Sequence, residues 1–334
     1  MSSANLPEFI TWFLDPAHYD HPVDRVELVQ THISFVLLAG DFVYKIKKPV
    51  NFGFLDFTTL EKREYFCWRE LELNKRLCPE IYLDVVKVCR DGAGFAFGSG
   101  EPVEYGVRMK RMDGSRMMGE VIRRGELNES HILSIVDTLV PFYGKAAGGP
   151  EIAEFGTARA VAVNVLENFE QTRDFIGKGA LHQHQFDAIN SYARSFLENE
   201  SLFLERSRGR VKDCHGDLYS ANICLADKVY IFDCIEFNER FRYCDVASDV
   251  AFLAMDLDFH GLTPLSELFI SRFVEASGDS GLLEVLPFYK CYRAYVRGKI
   301  GLFTAHAPEV DDATRQTALQ QAEKYFLLAE KYAG

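Results

Sequence analysis

The stretch His215-Gly216-Asp217-Leu218-Tyr219-Ser220-Ala221-Asn222, followed by Asp233, decides how this sequence is interpreted. Between Asn222 and Asp233, two short apolar segments flank the polar pair Asp227-Lys228, which predicts a β-hairpin. If that pair forms the turn, Asn222 and Asp233 are opposed, with Cβ atoms roughly 4.5 to 5.5 Å apart. An amide oxygen and a carboxylate at that separation can share one Mg²⁺. Asn222 and Asp233 are therefore predicted metal ligands, although a register shift of one residue would turn one of them away.

Asp217 and His215 lie on the loop that leads into this hairpin. A carboxylate at the position of Asp217 can accept the proton of an acceptor hydroxyl, as the loop aspartate of kinases does. His215 has two interpretations, an acid–base group or a structural histidine that bonds the loop backbone, and the structural one is favoured. Both residues are candidate catalytic residues.

The pattern H-G-D-x4-N with a following I-F-D resembles the aminoglycoside phosphotransferase and choline kinase superfamily, relatives of protein kinases. In that superfamily the first aspartate orients or deprotonates the acceptor, and the asparagine and second aspartate bind magnesium. The resemblance assigns these roles to Asp217, Asn222 and Asp233. The run from Asp245 to Ala251, D-V-A-S-D-V-A, resembles the helix that follows in the superfamily and is usually structural.

The resemblance extends over most of the chain, to a bacterial subgroup described only as aminoglycoside phosphotransferase-like. It is carried by the segments Thr31–Ser34, Tyr44–Pro49, Phe52–Phe57 and Phe232–Asn238. Some members of that subgroup carry a second, P-loop kinase domain. This sequence has no G-x4-G-K-[ST] pattern, so the P-loop chemistry is not expected of it.

Periodicity and breakers predict an α+β fold. Apolar segments on both sides of Gly40-Asp41 predict a hairpin, Thr58-Thr59-Leu60-Glu61 resembles a capping box at a helix start, and Pro79 ends that helix. Beyond residue 113 helical patterns dominate. The resemblance implies a bilobal protein-kinase-like fold: residues 1–112 form a nucleotide-binding lobe with a small antiparallel sheet and one helix. Residues 113–334 form a larger, mostly helical lobe with the catalytic loop and the acceptor site.

A kinase-type site needs a cation for the nucleotide phosphates and a carboxylate that holds it. Lys45 is the candidate cation, and Lys47, two residues on and on the same face of the strand, is the alternative. Glu70 is the candidate carboxylate because its helical neighbours are apolar, and a charge in such a stripe needs a partner. Glu64 is its close rival.

The phosphate-binding loop is predicted at Gln30–Ser34, although no G-x-G-x-x-G pattern is present. Its backbone N–H groups and the hydroxyls of Thr31 and Ser34 are the candidate phosphate contacts, with a plain turn as the alternative.

The composition restricts the class of partner and the compartment. The formal net charge of -12 disfavours nucleic acid and, if concentrated near the site, favours a cationic acceptor. No segment has the length and hydrophobicity of a membrane helix, and Met1–Asn5 lacks the basic start of a secretion signal. The eight cysteines include no C-x-x-C pair, which predicts reduced core thiols and a cytoplasmic protein. No feature of the sequence indicates an oligomeric state.

The acceptor is the open question. Arg293 and Arg297, at i and i+4, either bind an anionic acceptor or brace the catalytic loop through Asp245, Asp249 or Glu236, and bracing is favoured. Glu236 and Asp256 are candidates for an amine acceptor or for structural roles.

The sequence therefore predicts an ATP- and Mg²⁺-dependent phosphotransferase that acts on a hydroxyl of a small molecule. A nucleotide-binding pseudokinase or regulatory module without turnover is the alternative. A kinase acting on a protein is the weakest hypothesis, because an A-P-E-like segment is missing.

Overall fold

The computed structural model describes residues 6–98, 100–308 and 310–334, so Met1–Asn5, on which the secretion-signal prediction partly rests, lie outside it. The chain divides into two compact units. The N-terminal unit holds the described residues up to Met117 together with Tyr230–Glu239, and the C-terminal unit holds Met118–Val229 and Arg240–Gly334. The predicted lobes met at residues 112 and 113, and the prediction placed residues 230–239 with the C-terminal lobe. The segment that carries Asp233 instead belongs to the N-terminal unit.

The N-terminal unit is built on an antiparallel sheet of six strands in the order β1-β2-β3-β6-β4-β5. The strands are β1 Val26–Gln30, β2 Ser34–Ala39, β3 Phe42–Lys47, β4 Tyr82–Asp91, β5 Gly94–Phe97 and β6 Pro102–Lys110. Two helices accompany the sheet, α1 Glu8–Trp12 and α2 Leu60–Asn74. The prediction contained only the second helix, because α1 is five residues long and has no periodicity to detect.

The β2–β3 hairpin forms where Gly40-Asp41 predicted it, with Ala39 paired to Phe42. Gly40 has a φ of 56°, a left-handed conformation that glycine adopts without steric cost. Leu37 and Ile46 are fully buried in a core that also contains Ile10 of α1. Because successive side chains of a strand point to opposite faces, Lys45 and Lys47 lie on the face of β3 opposite to Ile46.

Helix α2 begins one residue later than the predicted capping box implied. Thr59 is the N-cap, and its side chain accepts the N–H of Lys62 at 3.3 Å. Thr58 instead bonds Asp56, through both its N–H and its hydroxyl. The prediction of a Thr58–Glu61 box was wrong because both threonines are chemically suitable caps, and the preceding turn selects between them.

The C-terminal unit is mainly helical. Its helices are α3 Met118–Arg123, α4 Glu129–Lys145, α5 Pro150–Ala153, α6 Ala158–Thr172, α7 Gln183–Leu197, α8 Glu200–Ser207, α9 Glu239–Arg242, α10 Val246–Phe259, α11 Thr263–Ser277, α12 Leu282–His306 and α13 Asp312–Ala333. Helices α7 and α8 are separate, since α7 ends at Leu197 and α8 begins at Glu200. Short strands complete the fold: β7 Val211–Asp213 pairs with β10 Tyr243–Asp245. Strand β8 is Ile223–Leu225, and strand β9, Val229–Ile231, begins at the last residue of this segment of the C-terminal unit.

Two chain-wide properties follow. Among the described helices, none combines the length and hydrophobicity required to cross a membrane. All eight cysteines are free thiols, and seven of them are buried, in agreement with their predicted role as small core residues.

Candidate active site

The predicted catalytic stretch, His215–Asn222, lies in the C-terminal unit, shortly after strand β7. Its backbone is held by one buried carboxylate, because Asp249 of α10 accepts the N–H of His215 at 2.7 Å and of Gly216 at 2.9 Å. Gly216 has a φ of 86°, so a side chain at this position would be strained. The sequence predicted a structural helix from Asp245 to Ala251, and the two hydrogen bonds to Asp249 show how that helix supports the loop.

Arg293 of α12 braces the same loop. Its Nη1 donates to the carbonyl of Gly216 at 2.9 Å, and its Nη2 lies 3.7 Å from a carboxylate oxygen of Asp249. The hydroxyl of Tyr143 also donates to Asp249, at 3.1 Å. The favoured interpretation of Arg293 as a bracing residue therefore agrees with the structure.

Asn222 fixes the side chain of Asp217. Its Nδ2 donates to the carbonyl oxygen of Asp217 and to carboxylate Oδ2, both at 2.9 Å. The NH₂ group of Asn222 is thus directed at Asp217, which leaves the amide oxygen as the group that can serve as a ligand. One hydrogen-bonded pair holds the predicted base and a predicted metal ligand in fixed orientation.

His215 is fully buried, and its Nδ1 accepts the backbone N–H of Asp217 at 3.3 Å. This contact matches the structural interpretation of His215. An acceptor at Nδ1 places the ring proton on Nε2 when the imidazole is neutral. Asp217 remains the candidate that acts directly on an acceptor.

The N-terminal unit brings Lys45, Glu70 and Asp233 together. The Nζ of Lys45 lies 2.8 Å from Oε1 of Glu70, and it also donates to the carboxylate of Asp233. The side chain of Glu70 is fully buried, that of Lys45 is 12% exposed, and that of Asp233 is 45% exposed. Solvent access therefore increases from the glutamate through the lysine to the aspartate.

Lys47 contacts the other oxygen of the same glutamate. It donates to Oε2 of Glu70 at 2.6 Å and to a carboxylate oxygen of Glu236. Glu64, the rival of Glu70, is only half-buried. Both lysines thus meet Glu70, and the difference between them is access, because only 1% of the Lys47 side chain is exposed.

The charges in this cluster shift one another's pKa values. Burial raises the pKa of Glu70, but the ammonium groups of Lys45 and Lys47 outweigh that effect and lower the pKa to about 2. Burial acts to lower the pKa of Lys45, and the carboxylates of Asp233 and Glu70 reverse the direction and hold it well above its usual value. Burial raises the pKa of Glu236, with Lys47 acting against it. Lys45 and Glu70 are accordingly both charged at neutral pH.

Asp233 has a φ of 61°, and it is the one non-glycine residue with a positive φ in the described part of the chain. An L-residue in this left-handed region costs about 1 to 2 kcal/mol, and such strain is concentrated at functional sites. The segment around it is anchored by Asn74, whose Oδ1 accepts the N–H of Cys234 at 2.9 Å and whose Nδ2 donates to the carbonyl of Glu70. This anchor holds the aspartate against Lys45.

The hairpin argument for Asn222 and Asp233 was wrong in its geometry. Asn222 ends a 3₁₀ helix that begins at Ser220, and Asp233 follows strand β9, which ends at Ile231. The turn also has three residues, Ala226–Lys228, between the strands. Neither residue is in a strand, so the β pairing used to oppose them does not reach them, and their shared metal remains a prediction.

The predicted phosphate loop forms hydrogen bonds within itself. The hydroxyl of Thr31 accepts the N–H of Ile33 at 3.2 Å and of Ser34 at 2.9 Å. Ser34 is fully buried, and its hydroxyl has no hydrogen-bond partner within the described residues. The phosphate-binding roles of Thr31 and Ser34 therefore stay predictions.

Sequence reasoning missed the pairing of Lys47 with Glu236, and left Glu236 as a candidate for an amine acceptor or for a structural role. The structure favours the structural role, because the carboxylate of Glu236 is buried against Lys47. The sequence shows that Glu236 lies three residues after Asp233, but its partner Lys47 is distant in sequence, so no local pattern reveals the pair.

Comparisons with known proteins agree with this architecture. No protein-family model matches the chain. Uncharacterized proteins of Mycobacterium bovis and of two Mycobacterium tuberculosis strains are 35% identical over 286 residues, which cover 84% of this chain and 56% of each relative. The chain thus spans little more than half the length of these relatives.

Three solved structures share the fold at low sequence identity. The GDP and kanamycin complex of APH(2")-IIia has a TM-score of 0.56 and 12% identity, over 95% of this chain and 97% of that one. A choline/ethanolamine kinase family protein from Mesorhizobium loti has a TM-score of 0.53 and 15% identity, over 95% of this chain and 94% of that one. An amicoumacin kinase complexed with AMP-PNP and Ca²⁺ has a TM-score of 0.52 and 11% identity, over 90% of this chain and 87% of that one. The chain therefore shares its fold with these aminoglycoside phosphotransferase and choline/ethanolamine kinase family structures.

Proposed function

We propose that this protein is a kinase-type phosphotransferase that uses ATP and Mg²⁺ to phosphorylate a hydroxyl of a small molecule. The observation that carries the proposal is the contact of Lys45 with both Glu70 and the strained Asp233. In kinases a lysine–glutamate ion pair and a metal-binding aspartate must both be in place for phosphoryl transfer.

Lys45 supplies the cation for the nucleotide phosphates. Its ammonium group pairs with the buried Glu70 and its side chain is 12% exposed, whereas Lys47, with two carboxylate partners, is only 1% exposed. We therefore assign nucleotide binding to Lys45 and a supporting role to Lys47.

Asn222 and Asp233 each offer a donor of the type that binds magnesium. The half-exposed carboxylate of Asp233 and the amide oxygen of Asn222 are hard oxygen ligands of the type that Mg²⁺ prefers. The metal, when bound, would neutralise charge on the transferred phosphate.

Asp217 is the proposed proton acceptor. Asn222 holds one of its carboxylate oxygens, and the loop backbone is fixed through Asp249 and Arg293. A positioned base of this kind takes the proton of the acceptor hydroxyl as the oxygen attacks phosphorus. General-base catalysis typically contributes about 10²- to 10⁴-fold.

The comparisons support a nucleotide and a small-molecule acceptor without identifying either. The structures that share the fold hold GDP with kanamycin in one case and AMP-PNP with Ca²⁺ in another. ATP and GTP should therefore be tested side by side. Eight free cysteines fit a reducing compartment, and we propose the cytoplasm.

Calorimetric titration with ATP or GTP, with and without Mg²⁺, tests the nucleotide site. Asp233→Asn is the sharper variant, because asparagine tolerates a positive φ and removes only the charge. We expect Mg²⁺-dependent binding by the wild type and a loss of that dependence in Asp233→Asn. The exposed Asp91 at the end of β4 gives the control, Asp91→Asn. A wild-type protein that binds neither nucleotide would refute the proposal.

A further inference from the structure

Arg293 and Arg297 lie one turn apart on α12, but their guanidinium groups have different surroundings. Arg293 is buried, and it donates to the carbonyl groups of Gly216 and Ser248 beside Asp249. Arg297 is half-buried, and no ion pair joins it to a carboxylate in residues 6–98, 100–308 and 310–334. Its Nε is buried and has no hydrogen-bond partner among these residues. Support of the catalytic loop therefore accounts for the position of Arg293 but not for that of Arg297.

Two tyrosines hold Arg297 in place. Its guanidinium carbon lies 4.7 Å from the ring centroid of Tyr219 and 5.7 Å from that of Tyr325, within the range of cation–π attraction. The tyrosines are themselves packed: Tyr219 stacks on Phe252 at 5.3 Å and Tyr325 on Phe259 at 3.8 Å. The cation is thus fixed in position before any ligand arrives, which lowers the entropic cost of binding.

This fixed cation lies close to the catalytic loop. Tyr219 belongs to the catalytic stretch, and the carboxylate of Asp217 is among the groups that act on Arg297. Burial acts to lower the pKa of Arg297, and Tyr219, Tyr325 and Asp217 outweigh burial and raise it. Another buried carboxylate near Tyr325, Asp256, accepts the N–H of Ser220 at 2.9 Å. A permanent positive charge with an unused donor therefore stands beside the proposed base.

We propose that Arg297 binds an anionic group, a carboxylate or a phosphate, carried by the acceptor in addition to its reactive hydroxyl. The inference rests on the proposed function, because it places the acceptor beside Asp217. The planar guanidinium matches the oxygen spacing of both anionic groups. A cationic acceptor, which a concentration of the acidic charge near the site would favour, would be repelled at this position.

Binding of inorganic sulfate tests the site without knowledge of the acceptor. Calorimetric titrations with sodium sulfate, on the nucleotide-free protein and with saturating MgADP, would compare the wild type with Arg297→Gln and Arg297→Lys. Arg272→Gln is the control, because Arg272 is an exposed arginine of α11 in the same unit, paired with Glu275. We expect Arg297→Gln to weaken sulfate binding at least tenfold, Arg297→Lys to retain part of it, and the control to match the wild type. Equal affinity in wild type and Arg297→Gln, or no sulfate binding by the wild type, would overturn the proposal.

A panel of acceptors separates the two anionic groups. Sugar phosphates, hydroxy acids, and the corresponding neutral and amino compounds would each be assayed for ADP formation from MgATP. We expect turnover with one anionic class, and a KM for that acceptor at least tenfold higher in Arg297→Gln, with the KM for ATP unchanged. Turnover of neutral or cationic acceptors that Arg297→Gln leaves unaffected would overturn the inference.

Two other outcomes are distinguishable. If Arg297 only adjusted the charge of Asp217, Arg297→Gln would shift the pH profile of kcat while sulfate affinity and acceptor KM stayed constant, and the inference would be wrong. If the wild type bound no nucleotide, the proposed function would fail, and the sulfate titration of the nucleotide-free protein would still decide whether Arg297 binds anions.

Discussion

Lys47 donates a 2.6 Å hydrogen bond to Oε2 of Glu70, and the two side chains are 1% and 0% exposed. The other oxygen of that carboxylate faces Lys45 at 2.8 Å. Glu70 thus contacts both lysines, the buried Lys47 and the slightly exposed Lys45. Lys47, with Glu236, fixes the orientation in which Glu70 meets Lys45, the proposed nucleotide-binding lysine.

Removing Lys47 should therefore destabilise the N-terminal unit. Lys47→Met leaves the carboxylates of Glu70 and Glu236 buried without their shared cation, and we expect a loss of about 3 to 5 kcal/mol in the free energy of unfolding. The double variant Lys47→Met/Glu236→Gln should lose less than the sum of the two single variants, because the residues are coupled. Denaturant unfolding measures each value.

Lys62→Met is the matched control for this experiment. Lys62 pairs with Asp56 at the surface, where the side chains are 44% and 36% exposed, so its removal should cost at most about 1 kcal/mol. Additive losses from Lys47 and Glu236 would show that they do not act as one pair.

Lys45→Met should affect the nucleotide more than the fold. In the proposed site the variant would remove charge-assisted hydrogen bonds to the phosphates, and we expect kcat/KM for MgATP to fall about 10- to 100-fold. Steady-state kinetics measure this loss, with Lys87→Met, an exposed lysine of β4, as the control. If Lys45→Met keeps full activity while a variant of Lys47 loses it without unfolding, the two lysines have the opposite roles.

The stability contributed by Glu70 should depend on pH. The neighbouring lysines lower its pKa from 4.5 to about 2, so the folded state favours the carboxylate. A group whose pKa is depressed on folding stabilises the protein above its unfolded-state pKa and loses that contribution as the pH falls. The deficit of Glu70→Gln relative to wild type should therefore be largest near pH 7 and shrink between about pH 5 and pH 2. Denaturant unfolding at pH 7, 5 and 3 measures it, and a deficit that grows on acidification would contradict the assignment.

Asp249→Asn should disturb catalysis through the loop. The N–H groups of His215 and Gly216 donate to different oxygens of Asp249. Asparagine has an NH₂ group in place of one of these oxygens, so one of the two hydrogen bonds is lost. A displacement of about 1 Å in a catalytic group can cost about 10²-fold, so we expect kcat to fall at least tenfold. Affinity for MgADP should change little. The exposed Asp137 of α4 provides the control, Asp137→Asn. A loss of nucleotide binding equal to the loss of kcat would place the role of Asp249 elsewhere.

Local chemistry made much of this molecule predictable from its sequence. The Gly40-Asp41 turn, the apolar stripe around Glu70 and the H-G-D-x4-N spacing all depend on neighbours within a few residues. The structure accordingly contains the β2–β3 hairpin and helix α2, and it places Asn222 in hydrogen-bond contact with Asp217, a contact that had not been predicted.

The features that were missed depend on long-range packing. Glu236 meets Lys47 across 189 positions of sequence, and no local pattern encodes that contact. Arg293 and Arg297 share a helix and a spacing, yet different neighbouring elements surround them. The conformation of Asp233 could not be predicted either, since its strain is maintained by the surrounding packing.

Transfer of phosphate from ATP is the most direct test of the central claim. The protein would be incubated with [γ-³²P]ATP, Mg²⁺ and a fractionated small-molecule extract, and labelled products would be separated from inorganic phosphate. We predict a labelled small molecule with the wild type, and a signal reduced by about 10²- to 10⁴-fold with Asp217→Asn, which should still bind MgATP. A wild-type protein that binds the nucleotide but labels no small molecule, or an Asp217→Asn variant that labels it equally well, would contradict the account.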